Sequence, residues 1–415
     1  LPDSGLIPSS ACPSDKPRKY PAGHSWHQAE KEEFMQRSLE EINERIARGE
    51  AVVLTAEEAA RLRESEGVKA VSNKVDVVTT GTFGMMCSSG LFLNTGHTDP
   101  PSRFQRAFLN DVEAYGGIAA VDLYIGATQV SQTNPRYGGA HVIEALLRGE
   151  PVRLRAEGAR SDCYPRESVE GEITLKNLNQ AFLFNPRNLY QNYAAATNSS
   201  SRVLYTYMGK LLPGYGNIMY ATSGELSPLL KDPKLRTVGI GTRLFLGGAI
   251  GYVAWEGTQF NANPKRDATG MPISPGATLA LVGNLKEMST DFIRAAYIPG
   301  YGVSLFLGIG LAIPLLDEDL AETASRPDSQ IKTVVLDYGV ARRQRPVVGE
   351  FTYKELKSGW VEIMGKRTRT GSRTSIRISR QVALTLKSWI KEGRFTLSHF
   401  TRPLPVEGRT LPWEV

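Results

Sequence analysis

The chain has 415 residues, is 41% hydrophobic and carries a formal net charge of +6, which is enough to bury one large core or two moderate ones without disulfide or metal staples. Its three cysteines, Cys12, Cys87 and Cys163, are too few and too odd in number for a disulfide framework, and they favour a reducing compartment, either cytosol or an equivalent organelle interior. The longest apolar stretch, YGVSLFLGIGLAIPLL at 301–316, is broken by glycine and proline and falls short of the roughly 20 residues that cross a bilayer, so it reads as buried strand and no membrane span is expected.

Residues 1–27 hold Pro, Ser, Lys and His with only two acidic residues, and the chain opens on Leu1. That composition predicts a flexible or processed arm, and with it organelle stroma stands beside cytoplasm as an expected location. Residues 28–48 place Leu39, Ile42 and Ile46 at helical spacing among paired charges, and Gly49 stops the run. Thr55 with Glu58 three residues on is a capping-box signature for a second helix ending near Gly67. The run VDVVTTGTF (75–83) then reads as a short strand entering a glycine-rich loop.

From there to about residue 330, β-rich runs alternate with short helices, which predicts an α/β fold with a mixed-sheet core and glycine-rich loops. The strand order is not legible. Residues 379–393 predict an amphipathic helix with Val382, Leu386 and Trp389 inward. The expected division is an arm at 1–27, an α/β catalytic core at 28–330 and a small basic C-terminal lobe at 331–415.

The basic character is local. Between Ala341 and Arg380 there are eleven Lys or Arg against three Glu, leaving about −2 for the rest of the chain (6 − 8). Such a segment reads first as a solvated face and next as a docking surface for an acidic protein such as a ferredoxin. Nucleic acid is the weaker reading, because stacking aromatics are nearly absent there.

The loops GTFGMMCSSG (81–90) and GIGTRLFLGG (239–248) lack both the Lys-Ser/Thr of a phosphate cradle and the dinucleotide glycine spacing, so they read as turns and bulges beside a site. His24, His27, His97, His141 and His399 form no HExxH pair and the cysteines form no CxxC, so no metal or bound cofactor is expected. Cys87 follows a strand and is trailed by His97 and Asp99. Cys163 also follows a strand, with Arg160 and Arg166 within three residues. Nearby positive charge favours the attacking thiolate, while inert packing is the bland alternative. Asn185, Arg187 and Tyr190 crowd a short polar run suited to a small anion, Arg187 gripping a carboxylate by its planar fork, with Asn-Pro turn chemistry as the alternative. His97 and His141 are candidate proton carriers, each also readable as a structural histidine.

The segments VDVVTTGTFGMMCSSG, LNTGHTDPP, VDLYIGAT, GAHVIEALLRG, DCYPRES, FLFNPRNLYQNY and GIGTRLFLGGAIGYVAWEGTQ, in this order, together resemble the L-aspartate semialdehyde sulfurtransferases of sulfide-dependent homocysteine biosynthesis. The resemblance covers roughly residues 36–400. It implies conversion of L-aspartate semialdehyde, reduced sulfur and two electrons into L-homocysteine through a cysteine persulfide.

The family's two functional cysteines map onto Cys87 and Cys163, 76 positions apart (163 − 87), so the fold is expected to bring them into one pocket. The resemblance makes Cys163 the sulfur carrier and Cys87 the resolving thiol, with His97 or His141 as acid and Arg187, Asn185, Tyr190, Arg166 and Asp99 around the substrate. Glycine-rich backbone at 81–90 is expected to hold the carbonyl oxygen. No CBS pair or ferredoxin-like module accompanies the matched region, so an external two-electron donor, such as a ferredoxin-like protein, and sulfide or persulfide sulfur are expected. A homo-oligomer or larger assembly is also expected. The alternatives are a non-catalytic relative serving a larger assembly and a thiol redox sensor.

Overall fold

The computed structural model describes residues 36–408 and residue 411. The chain divides into two units, Leu1–Phe34 and Met35–Val415, and the second contains all the described residues. The expected arm, Cys12, His24 and His27 lie outside the described residues.

Helix starts follow the local chemistry. Ser38 and Glu41 form a capping box for helix Leu39–Ala47, and Thr55 and Glu58 form the expected one for helix Ala56–Glu66, each satisfying two otherwise orphaned amides. Gly67, at φ +85°, separates that helix from the next, Val68–Lys74. Helix Ile376–Lys391 starts at Ser375, whose side chain accepts from Ile378 N–H, and buries Val382, Ala383, Leu386 and Ile390. Trp389 packs at its margin against Phe245, ring centroids 5.0 Å apart.

The principal sheet has thirteen strands. Its centre is the long strand Gln180–Asn188, flanked antiparallel by Gly90–Asn94 and by Leu279–Asn284. One wing continues through Asp122–Gly126, Val112–Tyr115, Arg106–Leu109 and Val152–Glu157 to the edge strand Ser168–Ile173. The other ends at Gly302–Gly310, which pairs with both Ile293–Ile298 and Thr82–Met85. The apolar stretch 301–316 is therefore strand, as its length and glycines predict. The VDVVTTGTF run divides into Val77–Thr79, in a separate three-stranded sheet, and Thr82–Met85, in the large one.

Two helices cover opposite faces. Helix Gly139–Leu147 packs on one side and helix Ile376–Lys391 on the other. Gly308 and Gly310 let Val382 of the latter approach: a Cβ added at either would lie 3.1 Å or less from its methyl groups.

Residues 331–415 do not stand apart as a small lobe. Strand Lys332–Asp337 pairs parallel with Ala195–Thr197, and Lys366–Ser372 pairs parallel with Asn217–Tyr220. Together with Val347–Thr352 and Trp360–Ile363 these make a six-stranded sheet drawn from both sides of residue 330. A lone lobe would leave the apolar sides of Val335 and Ile363 uncovered. They share a cluster with Ala195 and Ile218 instead. Among the described residues, no helix is long and apolar enough to cross a membrane.

Candidate active site

A cavity of about 490 Å³ opens where the ends of strands from the two sheets meet. Cys87 lies on its wall, in the turn that joins Thr82–Met85 to Gly90–Asn94. The turn is anchored from behind. Met86 N–H donates to Leu305 carbonyl, Ser89 N–H to Met86 carbonyl, and Ser88 Oγ to both Asn185 Oδ1 and Arg187 carbonyl. The half-buried thiol has two hydroxyl neighbours, Tyr301 Oη and Ser304 Oγ, each 3.3 Å from Sγ.

The charge around this thiol is one-sided. Arg187, Arg342, Arg345 and Arg373 line the cavity, and among the described residues no Asp or Glu does. Arg345 stacks over the Tyr338 ring at 3.5 Å, and an Arg373 Nη contacts Met85 Sδ at 3.7 Å. Burial holds the Arg373 guanidinium below the usual arginine range, and the neighbouring Cys87 is the charge that pulls it back up. Buried guanidinium without a carboxylate partner is costly, so the arrangement favours an anion.

The wall is rich in phenols. Tyr193 Oη donates to Tyr207 Oη at 2.6 Å, and Tyr207 is hydrogen-bonded in turn to Tyr338. Burial, then the neighbouring phenols, raises Tyr193 and Tyr338 well above the ordinary tyrosine range. Tyr301 is raised by burial and by its contact with Cys87. These hydroxyls keep their protons at neutral pH. Asn188, 1% exposed, lines the same cavity with both Nδ2 and Oδ1 unpartnered.

The expected site residues separate into three places. Cys87, Arg187 and Tyr190 share the cavity. Asn185 does not line it: it is 1% exposed, donates to Ser89 Oγ at 2.7 Å and accepts from Ser88, so it braces the turn that carries Cys87.

Cys163, Arg166, His97 and Asp99 gather elsewhere. Cys163 is exposed on the connection from Val152–Glu157 to Ser168–Ile173. Its neighbour Tyr164 stacks on His97, centroids 6.3 Å apart, and Arg166 donates to Asp99 carbonyl at 2.5 Å. The register puts this cluster at the other end of the sheet. Gly90, next to the Cys87 turn, pairs with Gly126, and Asn94, next to the His97 loop, pairs with Asp122. Strand Gly90–Asn94 alone spans about 13 Å, and three further strands lie between it and Val152–Glu157. A disulfide needs Cα atoms within about 7 Å. The expectation that both thiols occupy one pocket within a chain is therefore corrected.

His141 is in neither place. Its Nδ1 accepts from Gly138 N–H at 3.2 Å as part of the helix start, its ring stacks on Tyr137, and burial pulls its pKa down against the opposing pull of Glu144. A Cβ at Gly138 would touch Val303, whereas Ser304 reaches Cys87. Adjacent strand residues face opposite ways, so His141 lies across the sheet from the cavity. Neither expected proton-carrying histidine lines the Cys87 cavity.

Several cavity residues escaped the sequence reading. Arg373 lies inside the basic run read as a solvated face. Its neighbours Arg367 and Arg369 do stack outside, on Trp360. Tyr301 opens the apolar stretch, and only its position at the strand's mouth gives it a polar task. Among the described residues, no group of three or more His, Cys, Asp or Glu converges as metal ligands.

Comparison with known proteins places the chain. It is 50% identical over 376 residues to the L-aspartate semialdehyde sulfurtransferase of Methanosarcina acetivorans, covering 90% of this chain and 73% of that protein. It is equally similar to the enzyme of that name from Methanocaldococcus jannaschii, over 88% of this chain and 72% of the relative. A 30% identical uncharacterized protein of Methanothermobacter thermautotrophicus covers 78% of the chain and 73% of its own length. No solved structure matches. The family model for homocysteine biosynthesis enzymes, sulfur-incorporation, matches residues 51–397, and with relatives of this identity and coverage the chain belongs to that family of enzymes.

Proposed function

We propose that the protein is an L-aspartate semialdehyde sulfurtransferase whose reaction takes place at Cys87. The reading is carried by one observation: an accessible thiol, hydrogen-bonded to a tyrosine and ringed by arginines with no carboxylate among the described residues, on the wall of a cavity large enough for a small amino-acid aldehyde. The enzyme of this name in the two methanogens supplies the substrate.

The semialdehyde carboxylate pairs with the planar fork of Arg187. A sulfur atom carried on Cys87 as a persulfide attacks the aldehyde carbon, and the developing alkoxide takes a proton from a phenol, Tyr301 being the one beside the sulfur. Gly81 N–H is already committed to Leu226 and Met86 N–H to Leu305. The oxygen is therefore held by cavity side chains and the turn at 87–88 rather than by the whole glycine-rich segment.

From hydrosulfide-level sulfur, the aldehyde takes two electrons and two protons and loses water to become the thiol. A persulfide sulfur requires two further electrons, which cleave the sulfur–sulfur bond and restore the Cys87 thiolate. The electrons come from an external donor. A small acidic ferredoxin-like protein suits the basic segment 341–380. Cys163, with His97 and Arg166 beside it, is an exposed thiol suited to exchange with partners, not to chemistry inside the cavity.

The test is turnover by the full chain given L-aspartate semialdehyde, polysulfide, whose sulfane sulfur loads the Cys87 thiolate with loss of a shorter polysulfide, and titanium(III) citrate as the electron donor. Homocysteine is expected from the parent protein and none from Cys87→Ser. Arg187→Met should raise KM for the semialdehyde about tenfold or more with a smaller change in kcat. A Cys87→Ser protein that still makes homocysteine would remove the cavity from the mechanism.

A further inference from the structure

The cavity is over-supplied with positive charge for the substrate just proposed. L-aspartate semialdehyde carries one carboxylate and one ammonium, so it is neutral overall, and its ammonium would find no carboxylate among the lining residues. One guanidinium suffices for its carboxylate. Three remain, of which Arg373 is half-buried beside the thiol, with its Nε unpartnered. Asn188, almost fully buried at 1% exposure, also presents an unpartnered amide to this space. A second anion, bound before or with the substrate, satisfies these groups.

We propose that this anion is the sulfur donor: the cavity accepts a sulfane-sulfur oxyanion of the thiosulfate class and transfers its outer sulfur to Cys87. The inference rests on the reading of Cys87 as the sulfur-carrying thiol. In the loading step the Cys87 thiolate attacks the outer sulfur, a new sulfur–sulfur bond forms, the old one breaks, and sulfite departs with the bonding electron pair. One thiolate and one thiosulfate dianion give one persulfide anion and one sulfite dianion. The charges match and no outside reductant or oxidant takes part. Arg373 and Asn188 hold the oxygen atoms, so that the charge developing on the leaving sulfite is met by donors already in place. Small size is also required, since the tyrosine wall leaves room for a compact donor.

The experiment uses the reduced full chain, freed of reductant and given sodium thiosulfate alone. We expect one sulfite released per chain, and mass spectrometry should find one added sulfur atom on the peptide that contains Cys87. Cys87→Ser should release none. Arg373→Met should raise the thiosulfate concentration for half-maximal loading about tenfold or more. Arg373→Lys, which keeps the charge and guards against a folding defect in the methionine variant, should recover part of that loss.

No sulfite release, added sulfur on Cys163 in place of Cys87, or equal half-saturation in all three Arg373 forms would overturn the proposal. Homocysteine formed from polysulfide while thiosulfate fails to load would sink this inference and leave the sulfurtransferase reading intact. Loading without any homocysteine would do the reverse.

Discussion

The thiol at Cys87 owes its position to side chains that do no chemistry. Asn185 accepts from Ser88 Oγ and Arg187 N–H and donates to Ser89 Oγ, and the strand carrying Ser304 fixes the hydroxyl beside the sulfur. Tyr301 is different, because its phenol faces both the sulfur and the cavity. Among the described residues no histidine or carboxylate lines that space, so the proton for the aldehyde oxygen is assigned to a phenol or to water. Tyr301→Phe keeps the ring and its packing while deleting the proton. Its kcat for homocysteine should fall about 10²-fold, with KM for the semialdehyde little changed, as steady-state rates at saturating polysulfide will show. An unaltered kcat would move the acid role to Tyr190, Tyr193 or Tyr207.

At the level of elements, the cavity depends on helix Ile376–Lys391 lying close against the strand end at Gly81. A Cβ on Gly81 would stand 2.1 Å from Ser379 carbonyl oxygen and 3.0 Å from Ala383 nitrogen, backbone atoms that have no rotamer to change. Gly81→Ala therefore pushes the helix outward, and with it Arg373 and Thr374 just before its cap. The expected cost is about 1–3 kcal/mol or more, read as a lower midpoint in urea unfolding, together with weaker anion binding. An alanine variant of parental stability would mean that the helix can shift without loss. This helix is legible in the sequence, since its apolar spacing gives Val382, Leu386 and Trp389 their inward side. The capping box at Thr55 is equally plain, because both signals lie within a few residues. The pairing of Lys332–Asp337 with Ala195–Thr197 is not, as it joins segments with no local mark of one another. That is why residues 331–415 read as a lobe of their own.

At the scale of the molecule, the cavity gathers residues from many distant stretches, among them the Cys87 turn, the end of strand Gln180–Asn188, the mouth of strand Gly302–Gly310, the segment holding Arg342 and Arg345, and the loop before helix Ile376–Lys391. Cys87 could be picked out because it follows a strand among polar residues, and Arg187 and Tyr190 because they lie in a dense polar run. Arg373 and Tyr301 could not, because their neighbours in sequence are surface arginines and core aliphatics. The family resemblance, which maps two functional cysteines onto Cys87 and Cys163, made the two look like companions in one pocket. Sheet register decides otherwise, since a strand holds the loops at its two termini a full strand length apart.

This separation has a chemical consequence. In a protein with Cys12 replaced by serine, exposed Cys163 should react with a bulky fluorescent maleimide well before half-buried Cys87. Diamide at high dilution should produce no Cys87–Cys163 disulfide within one chain, as non-reducing peptide mapping will show. An intrachain link formed in good yield would require the loop at 158–167 to travel the length of a strand and across three others. Cys163 would then return to the cavity as the resolving partner of Cys87. Without that link, the two thiols keep separate surroundings, one on the wall of the arginine-lined cavity and one exposed at the surface.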